Sequence, residues 1–163
     1  MRRRRGALAY AFGVAVLVIA AMRGRVRRYV IAERSMSPTL SPGDWTLAKR
    51  TGKRARRGSI VVFPMPGPED IDVVKRVVGL PGETVSIAKG QVHIGGDVLA
   101  EPWADGPTRP DGQWELGLGQ IFVLGDGRAL SSSDSRTFGP IDAATARWRI
   151  TGCYWPPQSF GTV

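Results

Sequence analysis

Residues 73–78 read VVKRVV, a run of β-branched apolar residues that contains two adjacent cations, Lys75 and Arg76. Because side chains alternate along a strand, Lys75 shares one face with Val73 and Val77, and Arg76 lies on the other. A charged side chain is costly on a buried face. The stretch therefore predicts either an edge strand whose cations reach solvent or a lysine with a desolvated amine. To act as a base near neutral pH, that amine needs a pKa roughly 2–3 below the usual value of about 10.4.

Short apolar runs broken by glycine and proline continue on both sides of this stretch. The chain has 163 residues, with 21 glycines and 12 prolines, which suits one domain and a short appendage. The runs are rich in β-branched residues, as strands are. We predict a mainly β, compact antiparallel sheet or barrel-like domain at residues 29–163, with a β-hairpin excursion around 86–120, preceded by a separate segment at 1–28.

The positive charge of the chain is concentrated in its N-terminal segment. The net charge is +9, but residues 1–28 hold eight arginines and no acidic residue. The remaining 135 residues carry 15 basic and 14 acidic side chains. The excess therefore does not describe a basic groove on the domain, and no nucleic-acid partner is predicted.

Residues 6–22 (GALAYAFGVAVLVIAAM) are apolar and uncharged, with arginines on both sides. Seventeen residues of helix span about 25 Å, and flanking arginines can extend that reach to the membrane surface. We predict one transmembrane helix. The alternative is a cleaved signal peptide, for which the cleavage site is poorly formed. The positive-inside rule does not orient the helix, because both ends are basic.

The residues 33–40, ERSMSPTL, place two serines beside a proline, which usually makes a turn. If Ser35 is instead a nucleophile, another residue must take its proton. His93 and Cys153 are the only histidine and cysteine in the chain, and His93 falls on the polar face of an alternating run. A zinc site or a histidine-based triad is hard to assemble from them, and we predict no metal or other cofactor.

Two further segments are polar. Residues 125–140 (GDGRALSSSDSRTFGP) combine serines with aspartate and arginine, which alone is ordinary turn chemistry. Residues 49–57 (KRTGKRARR) form a basic turn between two strands, either solvated or facing lipid phosphates.

Taken together, these segments resemble the type I signal peptidase family, the membrane-anchored serine proteases that use a Ser-Lys dyad. The resemblance runs in the family's order over residues 29–141 and follows one anchor. The matching segments are the serine box SMSPTL (35–40), the lysine box RGSIVVF (57–63) with VVKRVVGLPGETV (73–85), the hairpin KGQVHIGGDVLAEPW (89–103) and the last box FVLGDGRALSSSDSRTFGPI (122–141).

The resemblance implies that Ser35 is the nucleophile and Lys75 the general base, with the Ser35 N–H in the oxyanion hole. It also implies a serine that orients the lysine, which is Ser132 when counted back from Asp134 and Ser131 when counted forward from Gly125. We favour Ser132. The other implied site residues are Asp126, Arg128, Asp134 and Arg136, which brace the site, and Ile31, Ala32, Met36 and Val74, which line the substrate pockets.

The function implied by the resemblance is removal of signal peptides from exported precursors after small residues at positions −1 and −3. The catalytic domain would lie on the extracytoplasmic side of the cell membrane. The implied partners are secreted precursor proteins and membrane lipids, with an export translocon as a further candidate.

The sequence departs from the family's pattern at three points. Glu33 stands where the family commonly has serine or glycine, and Gly127 replaces the usual asparagine of the GDNR segment. The loop from Gly125 to Arg136 is one residue longer than the common form.

Several other functions remain open from the sequence. One is a dedicated maturation protease or a conjugation-type processing protease of the same clan. Another is a catalytically silent, membrane-tethered β module that binds peptides. A cytoplasmic self-cleaving repressor would need a DNA-binding domain ahead of the serine, where this chain has the apolar run.

Overall fold

A computed structural model describes residues 24–52, 55–68 and 71–163, and in these ranges the chain is mainly β-strand. They also contain one short helix, α1 (Ser135–Phe138), and 3-10 segments at Arg34–Met36 and Pro157–Ser159. The strands are β1 Val26–Val30, β2 Trp45–Arg50, β3 Ile60–Pro64, β4 Asp72–Gly79, β5 Thr84–Ala88, β6 Gln91–Ile94, β7 Asp97–Val98, β8 Gly112–Glu115, β9 Gln120–Leu124, β10 Ile141–Asp142, β11 Trp148–Trp155 and β12 Gly161–Thr162.

The larger of two sheets has the strand order β1-β2-β11-β3-β4-β9-β10, with β12 paired to β11, and its paired strands are antiparallel. The expectation of a mainly β, antiparallel fold is confirmed. The cationic stretch belongs to β4, which lies between β3 and β9. Both cations are buried, with Lys75 2% and Arg76 6% exposed, so the interpretation of VVKRVV as an edge strand whose cations reach solvent is wrong.

The first half of β4 keeps one edge open. Strand β9 pairs with β4 only from Arg76 onward, whereas β3 pairs with β4 from Asp72 to Arg76. Strand β1 is the first of its sheet and pairs with β2 alone. Open backbone edges at β1 and at the start of β4 could accept another extended chain.

The predicted excursion forms a second antiparallel sheet, in the order β7-β6-β5-β8. Its strands begin at Thr84 and end at Glu115. Val85 and Ile87 pack with Val78 of β4 and Phe122 of β9 in one apolar cluster. This cluster joins the small sheet to the strand that carries the two cations.

Close approach of the two sheets explains the glycine that ends β4. A Cβ at Gly79 would lie 2.5 Å from Val85 Cγ2 and 2.8 Å from Leu116 Cδ1. Such contacts are too short for any side chain, so the sheets can meet here only over a glycine. The second sheet is thereby held near β4.

The predicted transmembrane helix at residues 6–22 lies outside the described residues. Within the part of the chain that is described, no helix combines the length and apolar character needed to cross a bilayer. The first strand, β1 (Val26–Val30), begins three residues before residue 29, where the predicted domain starts.

Candidate active site

Ser35 and Lys75 meet at the open edge of β4. Ser35 lies in the 3-10 segment Arg34–Met36, shortly after β1, and Lys75 lies in β4. The Lys75 Nζ donates hydrogen bonds to Ser35 Oγ at 2.9 Å and to the Val74 carbonyl at 3.1 Å. Both side chains are buried, with Lys75 only 2% exposed. A hydroxyl and an amine 40 positions apart are thus within proton-transfer distance.

The surroundings of Lys75 favour its neutral amine. Burial lowers the pKa of Lys75 from its ordinary value of 10.5, because the ammonium form loses its solvation. The carboxylates of Asp134, Glu33 and Asp126 oppose this change, while the charge of Arg136 adds to it. The loss of solvation dominates, as expected for a lysine that acts as a base.

The carboxylate of Asp126 ties together the two segments that carry the serine and the lysine. Its Oδ2 accepts from Thr39 Oγ1 at 2.6 Å, and Thr39 lies four residues after Ser35. Its Oδ1 and Oδ2 accept from Arg76 Nε at 2.8 Å and Nη2 at 2.6 Å, and Arg76 directly follows Lys75. One buried carboxylate therefore fixes both backbones.

Arg76 explains why two cations can follow each other in a buried strand. Beyond its bidentate pairing with Asp126, it donates to the Gly58 carbonyl at 2.7 Å and to Thr39 Oγ1 at 3.2 Å. Its guanidinium carbon lies 4.8 Å from the centre of the Trp103 ring. Sequence reasoning did not identify Thr39, Arg76 or Trp103 as site residues, although the second cation in VVKRVV was a signal for Arg76.

Asp134 organises the other side of the site. Its carboxylate accepts from Arg136 Nε at 2.9 Å and Nη2 at 2.7 Å, from Ser131 Oγ at 2.7 Å and from the Gly125 N–H at 3.2 Å. Burial alone would raise the pKa of Asp134. The hydrogen bonds from Arg136, Ser131 and Gly125, with the Arg136 charge, hold it below its ordinary value instead.

Arg128 links the catalytic loop to the excursion. Its side chain is 2% exposed and donates to both oxygens of Glu101, at 3.0 and 2.6 Å, to Thr108 Oγ1 and to the Gly125 carbonyl at 3.0 Å. Glu101 and Thr108 belong to the segment between β7 and β8, and neither was identified from the sequence.

The same loop is also bonded to the excursion through its backbone. The Asp105 N–H donates to the Asp126 carbonyl at 2.8 Å, and the Arg128 N–H donates to the Asp105 carbonyl at 3.1 Å. The excursion therefore buttresses the loop that carries Asp126.

Two glycines allow the loop to approach the nucleophile. A Cβ at Gly125 would lie 2.5 Å from the Ser35 carbonyl oxygen, and a Cβ at Gly127 would lie 3.1 Å from the carbonyl oxygens of Arg34 and Ser37. The Gly127 N–H donates to the Ser35 carbonyl at 3.1 Å. The glycine in place of the family's asparagine thus lies directly against the nucleophile segment.

A groove beside the dyad, with a volume of about 260 Å³, lies between the end of β1 and the start of β4. We call it the dyad groove. All four residues predicted for the substrate pockets line it. The lining residues are Val30, Ile31, Ala32, Glu33, Ser35, Met36, Met65, Ile71, Asp72, Val73, Val74, Lys75 and Ser133.

A larger cavity of about 830 Å³ lies elsewhere, lined by Arg50, Leu80 and Arg147 among others, and includes neither dyad residue. Its volume is greater, but the Ser35–Lys75 pair does not line it. The chemistry of the dyad groove, and not its size, identifies it as the candidate site.

The three consecutive serines of the loop have different surroundings. Ser131 is buried and donates to Asp134. Ser132 is exposed, and its carbonyl accepts from Thr137 Oγ1 at 2.6 Å. Ser133 is partly buried and lines the dyad groove. The contacts of the Lys75 amine given above involve Ser35 and Val74, so the identity of an orienting serine stays a prediction.

Comparison with known proteins shows the family of this chain. The family model described as "Signal peptidase, peptidase S26" matches residues 5–155. A signal peptidase I from Bacillus caldolyticus is 34% identical over 166 residues, which cover 90% of each chain. A mitochondrial ATP-independent inner membrane protease subunit 1b from Arabidopsis thaliana is 34% identical over 79% of this chain and 70% of its own length.

A solved structure has the same fold. The crystal structure of a signal peptidase I from Enterococcus faecalis is 30% identical and superimposes with a TM-score of 0.51, covering 64% of this chain and 99% of that one. The order of the boxes, the contact between serine and lysine, and these similarities agree. The chain belongs to the signal peptidase family, peptidase S26.

Proposed function

We propose that this protein is a membrane-bound signal peptidase I, which cleaves N-terminal signal peptides from exported precursors after small residues at −1 and −3. The observation that carries the proposal is the 2.9 Å hydrogen bond between Lys75 Nζ and Ser35 Oγ, at an amine whose pKa is lowered by burial. An exposed lysine with an ordinary pKa would be protonated at neutral pH and could not take the serine proton.

In the first step, the neutral Lys75 amine takes the proton of the Ser35 hydroxyl as Ser35 Oγ attacks the scissile carbonyl carbon. Negative charge develops on the carbonyl oxygen, where the Ser35 backbone N–H is the proposed donor. When the C–N bond breaks, the Lys75 ammonium returns its proton to the leaving amine. The products of this step are an acyl ester on Ser35 and a peptide with a new N-terminus.

In the second step, Lys75 takes a proton from water while the water oxygen attacks the ester carbonyl. The C–O bond to Ser35 breaks, and the serine recovers its proton from the lysine. One residue thus acts as base and acid in both halves of the reaction, and no histidine is required.

Substrate binding follows from the two open edges. An extended peptide in the dyad groove can hydrogen-bond the free backbone edges of β1 and of the first half of β4. Ile31, Met36 and Val74 give the groove an apolar wall. A groove of about 260 Å³ leaves room for small side chains, which supports the proposed preference at −1 and −3.

The bracing network keeps the dyad in place during the reaction. Asp126 holds both backbones and Asp134 holds the loop, while neither touches the Ser35 hydroxyl in the contacts described above. We assign them, with Arg128 and Arg136, positioning roles.

For the serine that orients Lys75, burial supports a change from our first assignment. Ser132 is exposed, and an exposed hydroxyl is poorly placed to fix a buried amine. Ser131 is buried on Asp134, whose carboxylate is the strongest charged influence on Lys75. We therefore propose Ser131, which is the residue reached by counting forward from Gly125.

The proposed location is the cell membrane, with residues 6–22 as a single span and the catalytic domain on the extracytoplasmic side, where secreted precursors emerge. Membrane lipids and an export translocon are the proposed further partners.

A silent peptide-binding module is the weaker hypothesis, because the serine and the lysine are in contact. A dedicated processing protease of the same family differs only in its substrate.

Replacing either dyad residue should abolish activity. We expect Ser35→Ala and Lys75→Ala each to lower precursor cleavage by at least about 10³-fold, because each removes an obligatory partner of the proton transfer. Ser37→Ala is the matched control, since its hydroxyl makes only a 3.5 Å contact with the Leu40 carbonyl. Cleavage of a purified precursor, followed by gel shift, measures the effect, with circular dichroism to verify the fold. Near wild-type cleavage by either dyad variant would contradict the mechanism.

The pH profile should reveal the buried lysine. Only the neutral amine accepts a proton, so kcat/KM should rise with pH through an apparent pKa below 10.5, the ordinary value that burial lowers. Lys75→Arg should be inactive throughout, because a guanidinium keeps its proton at working pH. Initial rates on a fluorogenic peptide between pH 5 and about pH 11 measure the profile. A rate still climbing steeply above about pH 10 would show that the amine is not desolvated.

An alanine scan of the three serines should locate the orienting residue. We expect Ser131→Ala to lower kcat by about 10²-fold with little change in KM, because the amine loses its fixed orientation while substrate binding remains. Ser132→Ala should be nearly silent. A large loss at Ser132 and none at Ser131 would restore the original assignment.

The membrane topology can be measured by protease protection. On intact cells, an added protease should degrade the domain at residues 29–163, and in inverted vesicles the domain should be protected. A domain found on the cytoplasmic side would contradict signal-peptide removal while leaving the peptidase chemistry intact.

A further inference from the structure

Glu33 is a charged residue in the dyad groove that the mechanism does not use. It precedes the 3-10 segment of Ser35, in an extended conformation with φ −118° and ψ 165°, and its side chain makes no capping hydrogen bond. The residue is exposed and lines the groove together with Ser35 and Lys75. Its carboxylate is therefore available to another molecule in the groove.

The carboxylate is also not neutralised by an ion pair within the described part of the chain. The pairs found there join Arg57 to Glu83, Arg76 to Asp126, Arg128 to Glu101 and Arg136 to Asp134. The three arginines of the network around the dyad, Arg76, Arg128 and Arg136, are thus engaged with other carboxylates, and Glu33 has no ion-pair partner within the described residues.

The charge of the groove is opposite in sign to that of the chain. Its lining includes two carboxylates, Glu33 and Asp72, and one basic side chain, Lys75. Lys75 is 2% exposed and must be neutral to act as the base. A peptide entering the groove therefore meets a negative wall, although the chain as a whole carries +9.

The position of Glu33 makes this charge matter for catalysis. It lines the same groove as Ser35, and in the proposed reaction negative charge develops in that groove on the scissile carbonyl oxygen. A carboxylate nearby raises the energy of that oxyanion, and a cation on the substrate offsets the repulsion. The cation is favoured both on binding and in the transition state, so it should improve kcat/KM.

We propose that Glu33 makes this peptidase select substrates with a lysine or arginine side chain beside the scissile bond. The inference rests on the proposed function, because it concerns the peptide that the dyad cleaves. In the proposed function, positions −1 and −3 of the substrate carry small residues. We therefore expect the basic side chain at position −2, +1 or +2 of the substrate. Glu33 would act as a specificity determinant and not as a catalytic residue.

The test compares peptides that differ only in charge. A cleavable peptide with glutamine at −2, +1 and +2 is the neutral reference, and lysine or glutamate replaces each glutamine in turn. For each enzyme the readout is the ratio of kcat/KM for the charged peptide to that for the neutral one. The enzymes are the wild type, Glu33→Gln, Glu33→Lys and the control Asp97→Asn, which removes one exposed negative charge from β7 in the other sheet.

We expect the wild type and Asp97→Asn to prefer lysine by about threefold to fivefold at one or more positions, the size typical of an exposed ion pair. Glu33→Gln should bring that ratio to about one, and Glu33→Lys should reverse it in favour of glutamate. Added salt should reduce the wild-type preference. Equal ratios in the wild type and Glu33→Gln at all three positions would overturn the proposal.

A binding measurement separates this inference from the proposed function. Fluorescence anisotropy with the same peptides on Ser35→Ala, with and without Glu33→Gln, compares affinities in the absence of cleavage. Loss of the lysine preference with Glu33→Gln would support the inference even if the wild type cleaved no peptide. Cleavage of the neutral peptide without any charge preference would uphold the function and remove the role of Glu33.

Discussion

The carboxylate of Asp126 is the constraint on which the site depends. It holds Arg76 and Thr39 through three hydrogen bonds of 2.6 to 2.8 Å, and these residues lie next to the lysine and the serine of the dyad. Two segments distant in sequence are therefore brought together by one buried group. Breaking a buried pair is costly because it leaves an unpaired charge in the interior, so the arrangement is rigid. A rigid frame is needed when a proton must move across a single 2.9 Å contact.

The same frame explains why adjacent cations behave differently. Arg76 is paired with a carboxylate and rests against an aromatic ring, so its charge is compensated inside the protein. Lys75 is equally buried, but its described hydrogen bonds go to a hydroxyl and a carbonyl, so its ammonium form is poorly compensated. The two neighbouring cations thus differ in how their charge is compensated, which supports the proposed role of Lys75 as the base. The excursion contributes to this division, because Trp103 covers Arg76, and Glu101 pairs with Arg128 in the loop of Asp126.

The departures from the family's pattern have separate structural meanings. Gly127, which stands where the family has asparagine, lies against the backbone of residues 34–37. Its N–H donates a hydrogen bond to the Ser35 carbonyl. Glu33 is different, because it lines the groove and has no ion-pair partner among the residues that the structure describes. In the serine-rich loop, Ser132 is exposed, whereas Ser131 is buried and donates to Asp134. A shift of one residue changes which hydroxyl reaches the interior, and sequence spacing alone could not resolve that shift.

The sequence by itself determined the β class, through short β-branched runs between glycines and prolines, and it determined the family, through motifs in a fixed order. It also pointed to Ser35 and Lys75 as candidate site residues, because both stand in segments that resemble the family's motifs. Only the tertiary structure decided that both cations of β4 are buried and which loop serine is buried. It also showed which distant residues support the site, namely Thr39, Glu101, Trp103 and Thr108. The physical reason is that strand patterns and motifs are local, whereas burial and ion pairing depend on which distant segments pack together. A carboxylate such as Asp126 shows its role only when both of its partners are in place.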